Sequence, residues 1–347
     1  MSEPDVIIRT ERRAGRITLN RPRALNALTT GMCVAIGEAL LAWRDDAAVA
    51  AVVIDHAGER GFCAGGDIRM MAASGAGDGS EARRFFAAEY RMNELLQRFP
   101  KPVIAVMDGV TMGGGVGLSM PARFRIATER TVWAMPEADI GLFPDVGMGW
   151  HLPRLAGRTG VWLALTGARL KAADCLAARL ATHYVPSAKV GQLLADLLAG
   201  ASKSHLMTLT ADPGPSALEA QRPQIDALFA AASPALIIAA LEADGSEWAL
   251  AQRQALAGKC PATLEVSMRL LRNGRRRLTF ADEMAEEYRV AVRMIHRHDF
   301  IEGVRAVIVD KDNAPRWDPP GLDGVTEDLL DVIFSDLPPD EAWTPYP

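Results

Sequence analysis

Cysteine is scarce in this chain. Cys33, Cys63, Cys175 and Cys260 are the only four, far apart and without a CxxC pair. That pattern excludes a zinc ribbon and a disulfide framework, and it fits a reducing compartment. No apolar run is long enough to span a membrane. The opening stretch MSEPDVIIRTERRAGRITLNRP lacks the cationic-then-apolar order of a signal sequence. Charge of neither sign dominates: a formal net charge of −5 with no basic domain argues against a nucleic-acid partner. The single basic cluster, Arg272–Arg277 (RNGRRR), reads first as a solvated helix end, with a phosphate contact as the alternative. His296 and His298 lack further ligands, so neither a metal nor a bound cofactor is expected. These absences lead to the expectation of a cytoplasmic protein acting away from membranes and nucleic acid.

What is present is an ordinary enzyme-like composition, 49% hydrophobic and 23% charged over 347 residues. The length exceeds one typical domain. A core over residues 1–200 and a mainly helical region over 201–347 with a Pro-rich tail is the expected division. Val6–Arg9 and Arg16–Leu19 read as strands around a turn at Ala14-Gly15. Thr30–Trp43 has helical spacing, and Ala51–Ile54 (AVVI) reads as a buried strand. Glu81–Phe99 predicts a helix, followed by the strands Val103–Met107 and Phe124–Thr128. β-Branched runs after each helix indicate an α/β fold with parallel strands.

Two of these strands lead into glycine runs. Arg60–Arg69 (RGFCAGGDIR) follows one, and Asp108–Gly117 (DGVTMGGGVG) follows another. Adjacent glycines let the backbone approach a ligand and aim successive N–H groups at one point. The second run is neither a dinucleotide loop nor a P-loop, because GxGxxG is incomplete and no GK[ST] follows. Two N–H groups, one from each turn, meeting at one oxygen would make an oxyanion hole. Cys63 has no identifiable activating histidine and reads as a small apolar filler.

Three acids stand out. Glu137 and Asp145 sit eight residues apart in WAMPEADIGLFPDVGMG, a loop shaped by Pro136, Gly141, Pro144 and Gly147. Apolar neighbours would raise their pKa toward the range useful for proton transfer. Glu89 falls on the same helical stripe as Phe85, Met92 and Leu96, so it points inward and needs either a salt bridge or a role in a site.

GFCAGGDIR, GVTMGGGVGLS and MPEADIGLFPDVG, in this order and spacing, resemble the enoyl-CoA hydratase/isomerase (crotonase) superfamily. NRPRALNAL (Asn20–Leu28), EEYR (Glu286–Arg289) and Asp299–Trp317 match it as well. The resemblance implies a crotonase-like spiral of ββα units with a helical C-terminal region. It implies that the Ala64 and Gly114 N–H groups hold a thioester carbonyl, with Gly65 and Gly113 beside them. Glu137 corresponds to the second of the paired glutamates of hydratases, but the first would fall at Gly117, which has no side chain. Asp145 stands where hydratases usually have glycine, and Glu89 becomes a substrate contact. Arg23, Leu25, Asp67 and Ile68 fall where the family binds CoA. The implied reaction is hydrolysis of a short 3-hydroxyacyl-CoA, 3-hydroxyisobutyryl-CoA foremost, as in valine degradation, with Glu137 as nucleophile or general base. Enoyl hydration or isomerisation on the same fold, and non-catalytic acyl-CoA binding, are the alternatives. CoA enters as part of the substrate, and a homo-oligomer is left open.

Overall fold

The computed structural model describes residues 3–200 and 203–347; the boundary expected between 200 and 201 lies outside the described residues. Nine strands are present among the described residues: β1 (Val6–Glu11), β2 (Ala14–Leu19), β3 (Ala51–His56), β4 (Gly61–Cys63), β5 (Val103–Met107), β6 (Val110–Met112), β7 (Phe124–Ala127), β8 (Val132–Ala134) and β9 (His183–Tyr184). They form a six-stranded sheet in the order β1-β2-β3-β5-β7-β9 and a three-stranded sheet in the order β4-β6-β8. Only β1 and β2 pair antiparallel; every other ladder between these strands is parallel. Each turn of the chain lays one strand in the large sheet and the next in the small one (β3 then β4, β5 then β6, β7 then β8). The result is a spiral.

The helices that matter to the site are α1 (Thr30–Arg44), α2 (Ile68–Gly75), α3 (Ser80–Gln97) and the short α4 (Gly114–Ser119). Thr29 caps α1 by accepting from the Met32 N–H, and Asp67 caps α2 by accepting from the Met70 N–H. The expected hairpin turn at Ala14-Gly15 is displaced. The chain turns at Arg12-Arg13, and Ala14 and Gly15 already pair with Glu11 and Thr10. Gly15 is needed for packing rather than turning, since a Cβ there would lie 2.5 Å from the Trp43 ring.

Beyond residue 203 the chain is mainly helical, and several of its helices start at hydroxyl caps. Ser216, Ser233, Ser246 and Thr279 cap Ala217–Leu228, Pro234–Asp244, Glu247–Ala257 and Phe280–Met294. One apolar cluster runs from Ile17 through Phe85, Trp133 and Phe143 to Met284, Phe300 and Trp343, so these helices share the core of the spiral. The tail crosses α3, where Arg91 donates to the Thr344 carbonyl at 2.8 Å and Trp343 donates to the Ala87 carbonyl at 3.3 Å.

Candidate active site

The three strands of the small sheet end side by side, and each hands the chain directly to a functional segment. β4 leads to Ala64-Gly65-Gly66, β6 to Gly113-Gly114, and β8, three residues on, to Glu137. Carboxyl ends of adjacent parallel strands are where open α/β sheets place ligands. Here they border a cavity of about 310 Å³ lined by Ala64, Gly65, Gly66, Ile68, Glu89, Gly113, Gly114, Glu137, Asp145, Val307 and Ile308, among others.

The two glycine turns face each other. Gly65 has φ +110°, and a Cβ on it would lie 3.7 Å from the Gly114 nitrogen. Gly113 has φ +47°; a side chain there would sit 3.2 Å from Glu137 Oε1 and 3.3 Å from the Gly65 Cα. Neither turn admits a larger residue without filling the cavity. Gly114 opens α4, so its N–H has no partner within the helix.

The Ala64 N–H does not serve as expected. It donates to the Leu25 carbonyl at 3.0 Å and is spent inside the protein. Gly66, two residues on, is the one to offer a free N–H. The bridge to Leu28 uses the Gly65 carbonyl and the Asp67 N–H, leaving the Gly66 N–H without an acceptor among the described residues. Met71 and Phe85 press beneath Gly66, within 2.5–2.6 Å of where a Cβ would stand, so the position requires glycine. The reason is Gly65, whose φ of +110° breaks the alternation that extended backbone would keep between residues 64 and 66, so the free N–H cannot be picked from a run of small residues.

All three expected acids converge on the cavity. Glu89 is 2% exposed and its Oε1 has no hydrogen-bond partner; it sits beneath Gly114, whose missing Cβ makes room for it. Glu137 is 6% exposed and its Oε2 is also unpartnered. Burial, then the charge of Asp145, pushes the pKa of both well above the usual carboxylate range. Asp145 differs. Burial raises it only to about 6, because the Tyr90 hydroxyl donates to its Oδ2 at 2.7 Å and favours the charged form. The pocket therefore keeps its charge on Asp145 and its more basic carboxylates at Glu89 and Glu137.

Of the residues expected to meet CoA, Ile68 lines the cavity. Asp67 is occupied as the α2 cap and lies 4.0 Å from Arg21. Arg23 is exposed on a 3-10 turn, and Leu25 follows it in left-handed backbone with its carbonyl on Ala64. His296 and His298 bond to the Gly75 and Arg316 carbonyls and stand apart from the cavity lining.

Sequence reasoning missed Gly66, Tyr90, Asn93, Val307 and Ile308. Tyr90 and Asn93 follow Glu89 on α3 by one and four residues, a signal that was present in the chain. Asn93 is fully buried beside Gly117 with both amide atoms unpartnered, and a Cβ on Gly117 would approach its Nδ2 to 2.8 Å. Val307 and Ile308 lie in a π-helical turn, Arg305–Val309, that no local pattern announces.

The model of the enoyl-CoA hydratase/isomerase family matches residues 14–334. The chain belongs to this family. Among curated relatives of this family member, the mitochondrial 3-hydroxyisobutyryl-CoA hydrolase of Gallus gallus is 42% identical over 97% of the chain and 90% of its own length. That of Homo sapiens is 41% identical over 96% and 89%. Among solved structures, a carnitinyl-CoA dehydratase from Mycobacterium thermoresistibile has a TM-score of 0.94 and 39% identity over 97% of this chain and 98% of that one. An enoyl-CoA hydratase from Rhodobacter sphaeroides 2.4.1 has a TM-score of 0.91 and 42% identity over 98% and 100%. The crotonase fold is thereby shown. The expectation of a cytoplasmic location is corrected: these curated relatives are named as mitochondrial proteins. Unpaired cysteines do not separate one reducing compartment from another, so composition carried no information on that choice.

Proposed function

We propose that this family member hydrolyses the thioester of a short 3-hydroxyacyl-CoA, 3-hydroxyisobutyryl-CoA foremost, releasing CoA and the free acid. The observation that carries this reading is the pairing of Asp145 with Gly117. A buried, Tyr90-bonded carboxylate faces the cavity where a hydratase usually has glycine, while the position of the first hydratase glutamate is empty. Relatives named as hydrolases over nearly the whole chain support the same assignment, and the step belongs to valine degradation on that reading. Two similar structures, named as a dehydratase and a hydratase, favour a second reading: hydration or dehydration of an enoyl or carnitinyl thioester. Against it, the acid–base pair that such a reaction uses would be incomplete at Gly117.

In the proposed reaction the Gly66 and Gly114 N–H groups receive the carbonyl oxygen and stabilise the tetrahedral oxyanion. One such donor is typically worth about 2.7–4 kcal/mol. Glu137, whose Oε1 lies against Gly113, has two routes. As the carboxylate it attacks the carbonyl carbon, the oxyanion collapses with cleavage of the C–S bond, CoA leaves as a thiolate that takes a proton from water, and a second water splits the anhydride to the free acid and the Glu137 carboxylate; or it takes a proton from the attacking water and passes it to the CoA thiolate as the C–S bond breaks. Burial makes it the stronger base needed for either. Glu89 and Asp145 receive the 3-hydroxyl and orient water. CoA enters as part of the substrate, with Ile68 along its path.

Free-thiol release from 3-hydroxyisobutyryl-CoA, with crotonyl-CoA followed by loss of enoyl absorbance, tests the reading. Thiol release that vanishes in Glu137→Gln supports it; enoyl hydration without thiol release overturns it. A single turnover in ¹⁸O-water separates the routes, because label enters Glu137 only through the anhydride.

A further inference from the structure

The EEYR segment, Glu286–Arg289, lies more than 140 residues beyond Asp145, and the reaction above does not use it. Two of its residues, Glu287 and Tyr288, nevertheless contact the neighbours of Asp145. The Glu287 carboxylate is fully buried and accepts two backbone bonds from the loop after Asp145, from the Gly147 N–H at 2.7 Å and the Gly149 N–H at 3.0 Å. The backbone it grips is unusual. Val146 has φ +53° and Gly147 has φ +88°, two consecutive left-handed residues directly after Asp145. A β-branched residue in that region is a genuine outlier, held only where the surroundings over-determine it. Tyr288 meets Tyr90 edge to face, with ring centroids 6.5 Å apart, and Tyr90 is the donor to Asp145. Glu286 is braced by Arg277 at 2.5 Å and Arg289 at 3.0 Å, which fixes the helix under both contacts.

We propose that Glu287 is a positioning residue for Asp145. Its carboxylate clamps the left-handed Val146-Gly147 turn that aims Asp145 into the cavity, while Tyr288 backs the tyrosine that holds the carboxylate from the other side. Without the clamp, Val146 relaxes toward ordinary backbone and Asp145 leaves the 3-hydroxyl. The helix Phe280–Met294 thereby becomes part of the specificity device, although none of its side chains borders the cavity. The proposal rests on the role assigned above to Asp145.

The test compares Glu287→Gln, Val146→Gly and the double variant with the wild type, using 3-hydroxyisobutyryl-CoA and its deoxy analogue isobutyryl-CoA. Glutamine keeps the shape but turns one of the two acceptors into a donor facing an N–H. The expected result is a kcat lowered about 10- to 100-fold, a KM changed far less, and a reduced preference for the hydroxylated thioester. In the Val146→Gly background, where glycine adopts the turn without strain, the Glu287→Gln loss should be smaller. A kcat that falls only with the folded fraction, an unchanged substrate preference, or strictly additive losses overturns the proposal. Where the glutamine variant fails to fold, Glu287→Asp gives the same comparison, since it keeps the carboxyl group and shortens its reach to the two N–H groups. The ¹³Cζ resonance of Tyr90 reports its bond to Asp145 without turnover. A wild type inactive on both thioesters sinks the functional reading, whereas an unmoved Tyr90 resonance in Glu287→Gln sinks this one.

Discussion

The Tyr90 hydroxyl donates to Asp145 Oδ2 at 2.7 Å, the one side-chain hydrogen bond that this carboxylate accepts among the described residues. A donor to a carboxylate favours its charged form, so the bond holds Asp145 below the value that burial alone would set. Tyr90→Phe should therefore raise the Asp145 pKa above about 6 and move the acid limb of the kcat profile to higher pH. Leaving the buried acceptor unpaired should also cost about 1–3 kcal/mol of stability. A pH–rate profile from pH 5 to 9 checks the shift, and an unmoved limb refutes it.

Glu89 titrates well above the usual carboxylate range in the folded protein, from burial first and then from Asp145. In the unfolded chain it would ionise near the ordinary value of about 4.3. The folded state thus binds the proton more tightly. The stability this confers is complete below the unfolded value and is lost as pH rises through the folded one. Glu89→Gln, which cannot ionise, should melt higher than the wild type at pH 8, by about 0.5–2 kcal/mol, with the gap closing toward pH 5 while activity drops. Calorimetry at both pH values decides; an equal gap at each would show that Glu89 is not the strained group.

Restoring the glutamate of a hydratase should not restore hydration. A Cβ on Gly117 would lie 2.7 Å from the Val146 Cβ and 2.8 Å from Asn93 Nδ2. Gly117→Glu is expected to cost at least about 1–3 kcal/mol by overpacking, to displace the Asp145 loop and to lose thiol release. Enoyl hydration appearing in that variant would refute this expectation, since it would mean that the cavity accommodates the second glutamate after all.

Val307 and Ile308 form the wall contributed by the C-terminal region. Val307→Ala should enlarge the cavity and, where the acyl group meets this wall, raise kcat/KM for a thioester one methylene longer than 3-hydroxyisobutyryl-CoA, relative to that thioester, by about tenfold. Competition between the two thioesters measures that ratio directly.

Much of the site was legible because its signals are local. Glycine runs directly after buried strands, a carboxylate on an apolar helical stripe and a Pro/Gly loop holding two acids are all patterns within about twenty residues. They led to Glu89, Glu137, Asp145 and the glycine run in which the family resemblance picks Gly114, and each of these four residues borders the cavity. The choice of N–H in the first glycine run was not legible. Ala64 and Gly66 are separated by Gly65, whose φ of +110° breaks the alternation of the backbone, and the Leu25 carbonyl that claims the Ala64 N–H comes from another segment. The hairpin turn was misplaced for a similar reason, because Gly15 answers to Trp43 and not to its own neighbours.

The loop from Glu137 to Gly149 shows where the division falls. Its sequence ruled out one continuous helix, because Pro and Gly act through their own backbone, and left open whether its acids are solvated on a surface loop or desolvated by their apolar neighbours. Its shape was decided elsewhere. Lys259 holds Asp139 at 2.6 Å, the Cys260 N–H donates to the Ala138 carbonyl at 3.1 Å, and Glu287 grips Gly147 and Gly149. Such contacts join residues more than a hundred positions apart. No periodicity records them, and only the folding of the C-terminal helices onto the spiral brings them together.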